Sequence, residues 1–213
     1  MPKLYTRPLF GLDIASTAVK AVELDRHRRR HRLRGFAIEP LPAEAVSDQA
    51  VNDTEGVAEA VQRARKALGT RRRHVAISVA GAAVITKQIT IPAGLDEMEQ
   101  QGQVEMEADQ HLPAGIESMY LDFQPLGPVP GDEANSVEVL LVACKREVVD
   151  SHLRALERAG LTASVVDVDP FAVENAFERS APEGYTDRTV ALLNIGAQVA
   201  NINVLHQGQS IFT

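Results

Sequence analysis

The sequence predicts an α/β fold that opens with a strand-strand-strand-helix-strand unit. Three observations carry that prediction. The first 80 residues alternate apolar and polar positions with period two in four places and with helical period in one. A second tight turn of small residues, near 196, repeats one found near 15. Aromatic residues are only 4% and Trp is absent, so Val, Leu, Ile and Ala must build the core. At 213 residues, with 45% hydrophobic and 24% charged, the chain holds one large domain or two small ones.

Residues 9–14 (LFGLDI) and 19–25 (VKAVELD) read as strands joined by the turn Ala15-Ser16-Thr17-Ala18. In the second strand Val19, Ala21 and Glu23 fall on one face, and Lys20, Val22 and Leu24 on the other. An Arg-rich turn follows, and LRGFAIEP gives a third strand ending at Pro40, which completes an antiparallel meander. Asn52 and Glu55 have capping-box spacing at the head of a helix over 54–68. Val57, Val61, Ala64 and Leu68 form its apolar stripe, and Gly69 supplies the stop. HVAISVA then reads as a buried strand.

Residues 83–91 continue as a strand ending at Pro92. Asp96 and Glu99 repeat the capping-box spacing and open a strongly acidic helix to about His111, with Val104, Ala108 and Leu112 on its apolar side. Its outward face suits either solvent or a basic partner. MYLDFQPLG and VEVLLVAC read as strands separated by the loop PVPGDEANS. REVVDSHLRALERAG is a helix with Val149, Leu153 and Leu156 inward and Gly160 as its stop, and ASVVDVD returns as a strand. Asp169-Pro170 reads as an N-cap followed by proline at the first helical position of a short helix. TVALLNI (189–195) and ANINVLH (200–206) are strands around Gly196-Ala197-Gln198. QSIFT is a strand running into the last residue, and the expectation is therefore a fragment of a longer fold.

The net charge of −7 argues against broad nucleic-acid binding. Two basic clusters run against it, at Arg26–Arg34 and Arg71–His74; each sits at an expected turn and suits solvent, an anionic lipid or an acidic partner. The single Cys144 excludes an internal disulfide and, inside an apolar run, reads as a buried small hydrophobe. MPKLYTRPLF has no apolar core of a signal peptide, and no stretch approaches the roughly 20 apolar residues of a bilayer span, so a cytoplasmic protein is expected.

The most informative feature is the internal echo of GLDIASTAVKAVEL (11–24) in LLNIGAQVANINVL (192–205). Each places an Asp or Asn and an Ile before a small-residue turn and an apolar return strand. Small turn residues let backbone amides approach phosphate oxygens. A carboxylate just ahead of the turn can hold magnesium through water. Ser16 or Thr17 adds a hydroxyl, and Lys20 can neutralise charge.

On these residues the chain resembles the actin-type ATPases. DIASTAVK is similar to their first phosphate motif, usually Asp-x-Gly-Ser/Thr followed by Lys; LNIGAQVANINVLHQG is similar to the second, and VDVDPFAVENAF to the connecting helix. ITKQITIPAGL, EADQHLPAGIESMYLDFQPLG and LLVACKREVVDSHLRALERAGL further resemble the PilM family of type IV pilus machines. The resemblance covers essentially the whole chain. It implies an actin-like fold with a ribonuclease H-like core at 1–83 and 163–188, an FtsA/PilM-type extra subdomain at 84–162, and the start of a second lobe at 189–213.

The resemblance also implies ATP with magnesium between the lobes and capture of the N-terminal cytoplasmic tail of PilN beside the extra subdomain. It implies a cytoplasmic scaffold held at the inner membrane through partners, connecting PilN and PilO to the motor ATPases, with self-association into a ring or platform. Carried over residue by residue, Asp13 bears the magnesium contact, Ser16, Thr17 and Lys20 the phosphates, and Asn194, Gly196 and Ala197 the second phosphate turn. Asp169 takes the place of an acid near the attacking water. Two departures stand out. Ala15 replaces the usual Gly, which costs about 1 kcal/mol if that position needs a positive φ. Asn194 replaces the usual Asp, and an amide orders water but is a poor base. Both point to nucleotide binding with at most weak ATPase activity, and the fragment alone is expected to bind little or no ATP. A sugar kinase of the same fold, an FtsA-like division protein and a ligand-free interaction domain remain as alternatives.

Overall fold

The computed structural model describes residues 8–27, 30–112, 115–132 and 135–212. The chain divides into two compact units, residues 1–81 with 150–213, and residues 82–149.

The first unit is built on a five-stranded sheet. β1 (Leu9–Ile14), β2 (Ala18–His27) and β3 (Arg30–Pro40) form the antiparallel meander, and β6 (His74–Val79) and β10 (Thr162–Val168) lie parallel to β1, in the order β10-β6-β1-β2-β3. The expected Arg-rich turn at 26–34 is mostly strand: the pairing of β2 with β3 runs out to His27↔Arg30, and Arg28 and Arg29 lie outside the described residues. Two short strands, β4 (Val46–Ser47) and β5 (Ala50–Val51), lie between β3 and the first helix.

Helix α1 (Thr54–Leu68) ends as expected at Gly69, whose φ of 69° is the left-handed conformation that glycine adopts without a Cβ penalty. Its start differs from expectation. Asp53, not Asn52, is the N-cap and accepts from the Gly56 amide, while Asn52 donates to Ser47 instead. Glu55 consequently closes no capping box and pairs with Arg158.

Alternation places Phe10, Leu12, Ile14, Val19, Ala21, Val75 and Ile77 on one sheet face. They pack on Val57, Val61 and Ala64 of α1, on Ala155 and Leu156 of α3 (Arg146–Arg158), and on Ala159 just beyond it. The sequence put the end of the insert at 162. The second compact unit runs from Ala82 to Val149, and the later turns of α3 send their apolar side into the core of the first. The unit also contains α4 (Asp169–Ser180) and the sheet β11 (Thr189–Ile195), β12 (Ala200–His206) and β13 (Gln209–Phe212).

The second unit is an antiparallel sheet in the order β7 (Val84–Pro92), β9 (Ser136–Lys145), β8 (Met119–Pro128), with α2 (Glu97–Asp109) against it. The expected capping box of α2 forms, Asp96 accepting from Met98 and Glu99 while Glu99 accepts from the Asp96 amide. Val104, Ala108 and Leu112 reach Ile89, Ile91, Val139 and Leu141, and the acidic face stays exposed. Cys144 is buried, and burial pushes its thiol pKa up, as befits an inert core residue.

Candidate functional site

Because β1, β6 and β10 are parallel and in register (Leu12↔Ile77, Asp167↔Ser78), their carboxyl ends reach one edge of the sheet together. In open α/β sheets that edge is where ligands bind. Here it carries Asp13, Ser78 and Asp169. Leu12 and Ile14 are buried in the core, so the strand period turns Asp13 to the opposite face, where it is half exposed. Directly across the hairpin, Lys20 Nζ lies 2.8 Å from Asp13 Oδ2.

Asp169 does not cap α4. Val168 occupies the cap position and no side chain caps the helix there, while Asp169 is the first helical residue with Pro170 behind it. Its carboxylate accepts a hydrogen bond from the Ser78 hydroxyl. Pro170 packs on Gly81 so closely that a Cβ at 81 would meet its Cγ at 2.9 Å. Burial raises the Asp169 pKa above the ordinary carboxylate range and the Asp13 charge adds to this, against the Ser78 hydrogen bond, Lys20 and His152. A carboxyl whose pKa is raised by burial beside an amine and a second carboxylate is a feature of functional sites. Ser78 was not among the candidate residues. The alternation of HVAISVA, which turns Ser78 away from the core, was the signal that could have found it.

The sequence echo persists at atomic level. Asp13↔Lys20 and Ile14↔Val19 close the first hairpin in the same register as Asn194↔Asn201 and Ile195↔Ala200 close the second. Each turn is pinned by one equivalent bond, Ala15 N–H to Ala18 O at 3.1 Å and Gly196 N–H to Val199 O at 2.9 Å. The first turn leaves the Ser16 and Thr17 amides with no acceptor among the described residues. Ala15 is not at positive φ, so alanine carries no strain where the usual motif has glycine. Gly196 is needed for closeness, not for a positive φ: a Cβ there would stand 2.9 Å from the Val199 carbonyl oxygen.

Helix α4 connects the two hairpins. At its start Asp169 feels the charges of Asp13 and Lys20. Within its first turns, Pro170 and Val173 share a cavity of about 10 Å³, room for a single water, with Asn194, Asn201 and Asn203. Asn203, buried, donates to Glu174 of α4 at 2.8 Å and accepts from Ser210 at 2.6 Å. Burial raises the Glu174 pKa.

The donor set suits magnesium with a nucleotide. Among the described residues there is no cluster of three or more His, Cys, Asp or Glu able to form an all-protein metal cage. Magnesium instead takes one or two carboxylates and completes its shell with water and substrate phosphates. Asp13, half exposed beside Lys20, supplies one such carboxylate.

The profile described as Type IV pilus assembly protein PilM matches residues 11–213. The chain belongs to the PilM family. Among solved structures, this PilM family member is similar to the PilM–PilN type IV pilus biogenesis complex, with a TM-score of 0.85 and 29% identity over 97% of its length. It spans 60% of that solved chain. The cytoplasmic domain of EpsL, an inner membrane component of the type II secretion system of Vibrio cholerae, matches with a TM-score of 0.59 at 12% identity, over 95% of this chain and 69% of that one. A Bacteroides thetaiotaomicron protein with an actin-like ATPase fold and unknown function matches with a TM-score of 0.51 at 11% identity, over 100% and 71%. These likenesses give the chain an actin-like fold. Within it Asp13, Lys20 and Asp169 come together, Ser16 and Thr17 form the adjoining turn, and Asn194, Gly196 and Ala197 lie on the hairpin that α4 joins to them. No helix among the described residues is long and apolar enough to cross a membrane.

Proposed function

We propose that the whole protein is a cytoplasmic scaffold of the type IV pilus inner-membrane platform that binds ATP with magnesium and the N-terminal cytoplasmic tail of PilN. The observation that carries the nucleotide part is the convergence of Asp13, Lys20 and Asp169 at the carboxyl ends of the parallel strands. Asp13 would hold magnesium through water, and Lys20, now paired with Asp13, would turn to a phosphate oxygen. The Ser16 and Thr17 amides would donate to the same phosphates, and Asn194, Gly196 and Ala197 would face them from the second hairpin. Bound magnesium would neutralise phosphate charge.

Asp169 is the candidate catalytic acid–base group. Its raised pKa suits proton transfer, but Asn194 supplies no second carboxylate, which favours binding with slow turnover. The PilN assignment rests on likeness to the PilM–PilN complex, and links to PilO, the motor ATPases or further copies of the chain follow from the same assembly role.

The full-length protein titrated with ATP-magnesium, and separately with a PilN-tail peptide, tests this reading. Peptide binding with little turnover is the expected result. Phosphate transfer to a sugar, or no affinity for the peptide, would overturn it.

A further inference from the structure

Arg34, at the end of the first basic cluster, meets the second cluster, Arg71–His74, at the end of the sheet where β1 and β6 begin. The candidate nucleotide residues lie at the other end of those strands. Arg34, Arg71, Arg72, Arg73 and His74 line an open groove of about 710 Å³.

A β-bulge helps to build it. Glu23 pairs with Gly35 and Leu24 with Leu33, which leaves Arg34 as the extra residue and re-aims its side chain. Its guanidinium lies 3.5 Å from Glu23 and 3.7 Å from Asp25. Arg72 is held by Glu23 at 3.0 Å, by Asp25 at 3.4 Å and by the Leu9 carbonyl at 2.7 Å. Among the described residues Glu23 is the one carboxylate lining the groove; it is only 2% exposed and already committed to these two arginines. Arg71 and Arg73 are exposed and have no ion-pair partner among the described residues. A cationic surplus on a chain of net charge −7 is a local device, not a bulk property.

We propose that this groove and the hairpin beside it bind the phosphate headgroups of anionic phospholipids and hold the domain against a membrane surface. Lipid is favoured over an acidic protein by the hairpin itself. Beyond Val22, β2 has no register with β1 and pairs only with β3, forming an arm on which the exposed aliphatics Leu24 and Leu33 sit across from each other beside exposed Arg26, while exposed Arg32 lies on the opposite face with Glu23. Cationic heads next to aliphatic side chains match the headgroup–acyl boundary.

The chain is sedimented with phosphatidylcholine vesicles, with or without phosphatidylglycerol. It is compared with R71E/R73E and with R179E/R188E, an equal charge change at exposed residues outside the groove. The expected result is binding only to vesicles containing phosphatidylglycerol, weakened about tenfold or more in R71E/R73E, nearly unchanged in R179E/R188E, and lost in about 0.5 M salt. Since Arg71 and Arg73 are exposed and unpaired, their reversal should leave the circular dichroism spectrum unchanged. No preference for phosphatidylglycerol, or equal losses in the two variants, would overturn the proposal. So would saturable binding of poly-glutamate without vesicle capture, or glycerol phosphate binding as tightly as vesicles.

Discussion

The hydroxyl of Ser78 donates to the carboxylate of Asp169 and so ties the end of β6 to the first residue of α4. Those two residues are 91 positions apart, and the bond brings Asp169 to the strand ends beside the Asp13–Lys20 pair.

Asp169 is a carboxyl whose pKa is raised by folding. Above the ordinary carboxylate range the native state keeps a proton that the unfolded chain has released, so stability falls as pH climbs through that window. Asp169→Asn removes the ionisation. The variant should gain in melting temperature over the parent at pH 7, with the gain shrinking towards pH 4, while nucleotide turnover in the full-length protein is lost. A melting-temperature difference independent of pH would contradict this.

Asp13→Ala separates binding from folding. The Asp13–Lys20 pair is about half exposed on both sides, and such pairs contribute about 1 kcal/mol or less. Urea unfolding should therefore move by no more than that, while ATP-magnesium affinity of the full-length protein, read by calorimetry, falls by at least about tenfold. Unchanged affinity would remove Asp13 from the site.

Arg72→Met should be costly for a different reason. It leaves the Glu23 carboxylate buried with only the more distant Arg34, and breaking a buried pair from one side costs about 3 kcal/mol or more. Glu23→Gln in the same chain should recover much of that loss in chemical denaturation. Additive losses would show that the charge is not the cause.

Gly196→Ala would force a methyl to within 2.9 Å of the Val199 carbonyl oxygen. The second turn must then open, at a cost of about 1–3 kcal/mol. Ala15→Gly in the first turn should change stability by about 1 kcal/mol or less, since Ala15 is not at positive φ. Amide exchange at the two turns would show the contrast.

Most elements were legible because local rules set them. Period-two alternation gave the buried faces of β1, β2 and β6, including Glu23 on the inward face of β2, and the capping box of α2 and the Gly69 stop of α1 are contacts within one turn of chain. Local reading failed where two local options competed. Asn52 and Asp53 were both able to cap α1, and the neighbouring Ser47 drew Asn52 away. The basic stretch 26–34 looked like a turn by composition, yet the hairpin register carries the strands through it. In the site, Asp13, Lys20 and the second hairpin could be read from the echo. Ser78 and Asn203 could not, because each acts through a partner distant in the chain.

By itself the sequence determined the order of the elements, the face each one buries and the kinship of the two hairpins, since these follow from side-chain period and turn chemistry over a few residues. The tertiary structure alone decided that Asp169 accepts from Ser78 instead of capping its own helix. It also decided that α3 contributes its last turns to the first core, and that Arg34 shares one groove with Arg71–His74. Those outcomes depend on which strand ends lie side by side, and strand order in a sheet is a long-range choice that no local window contains.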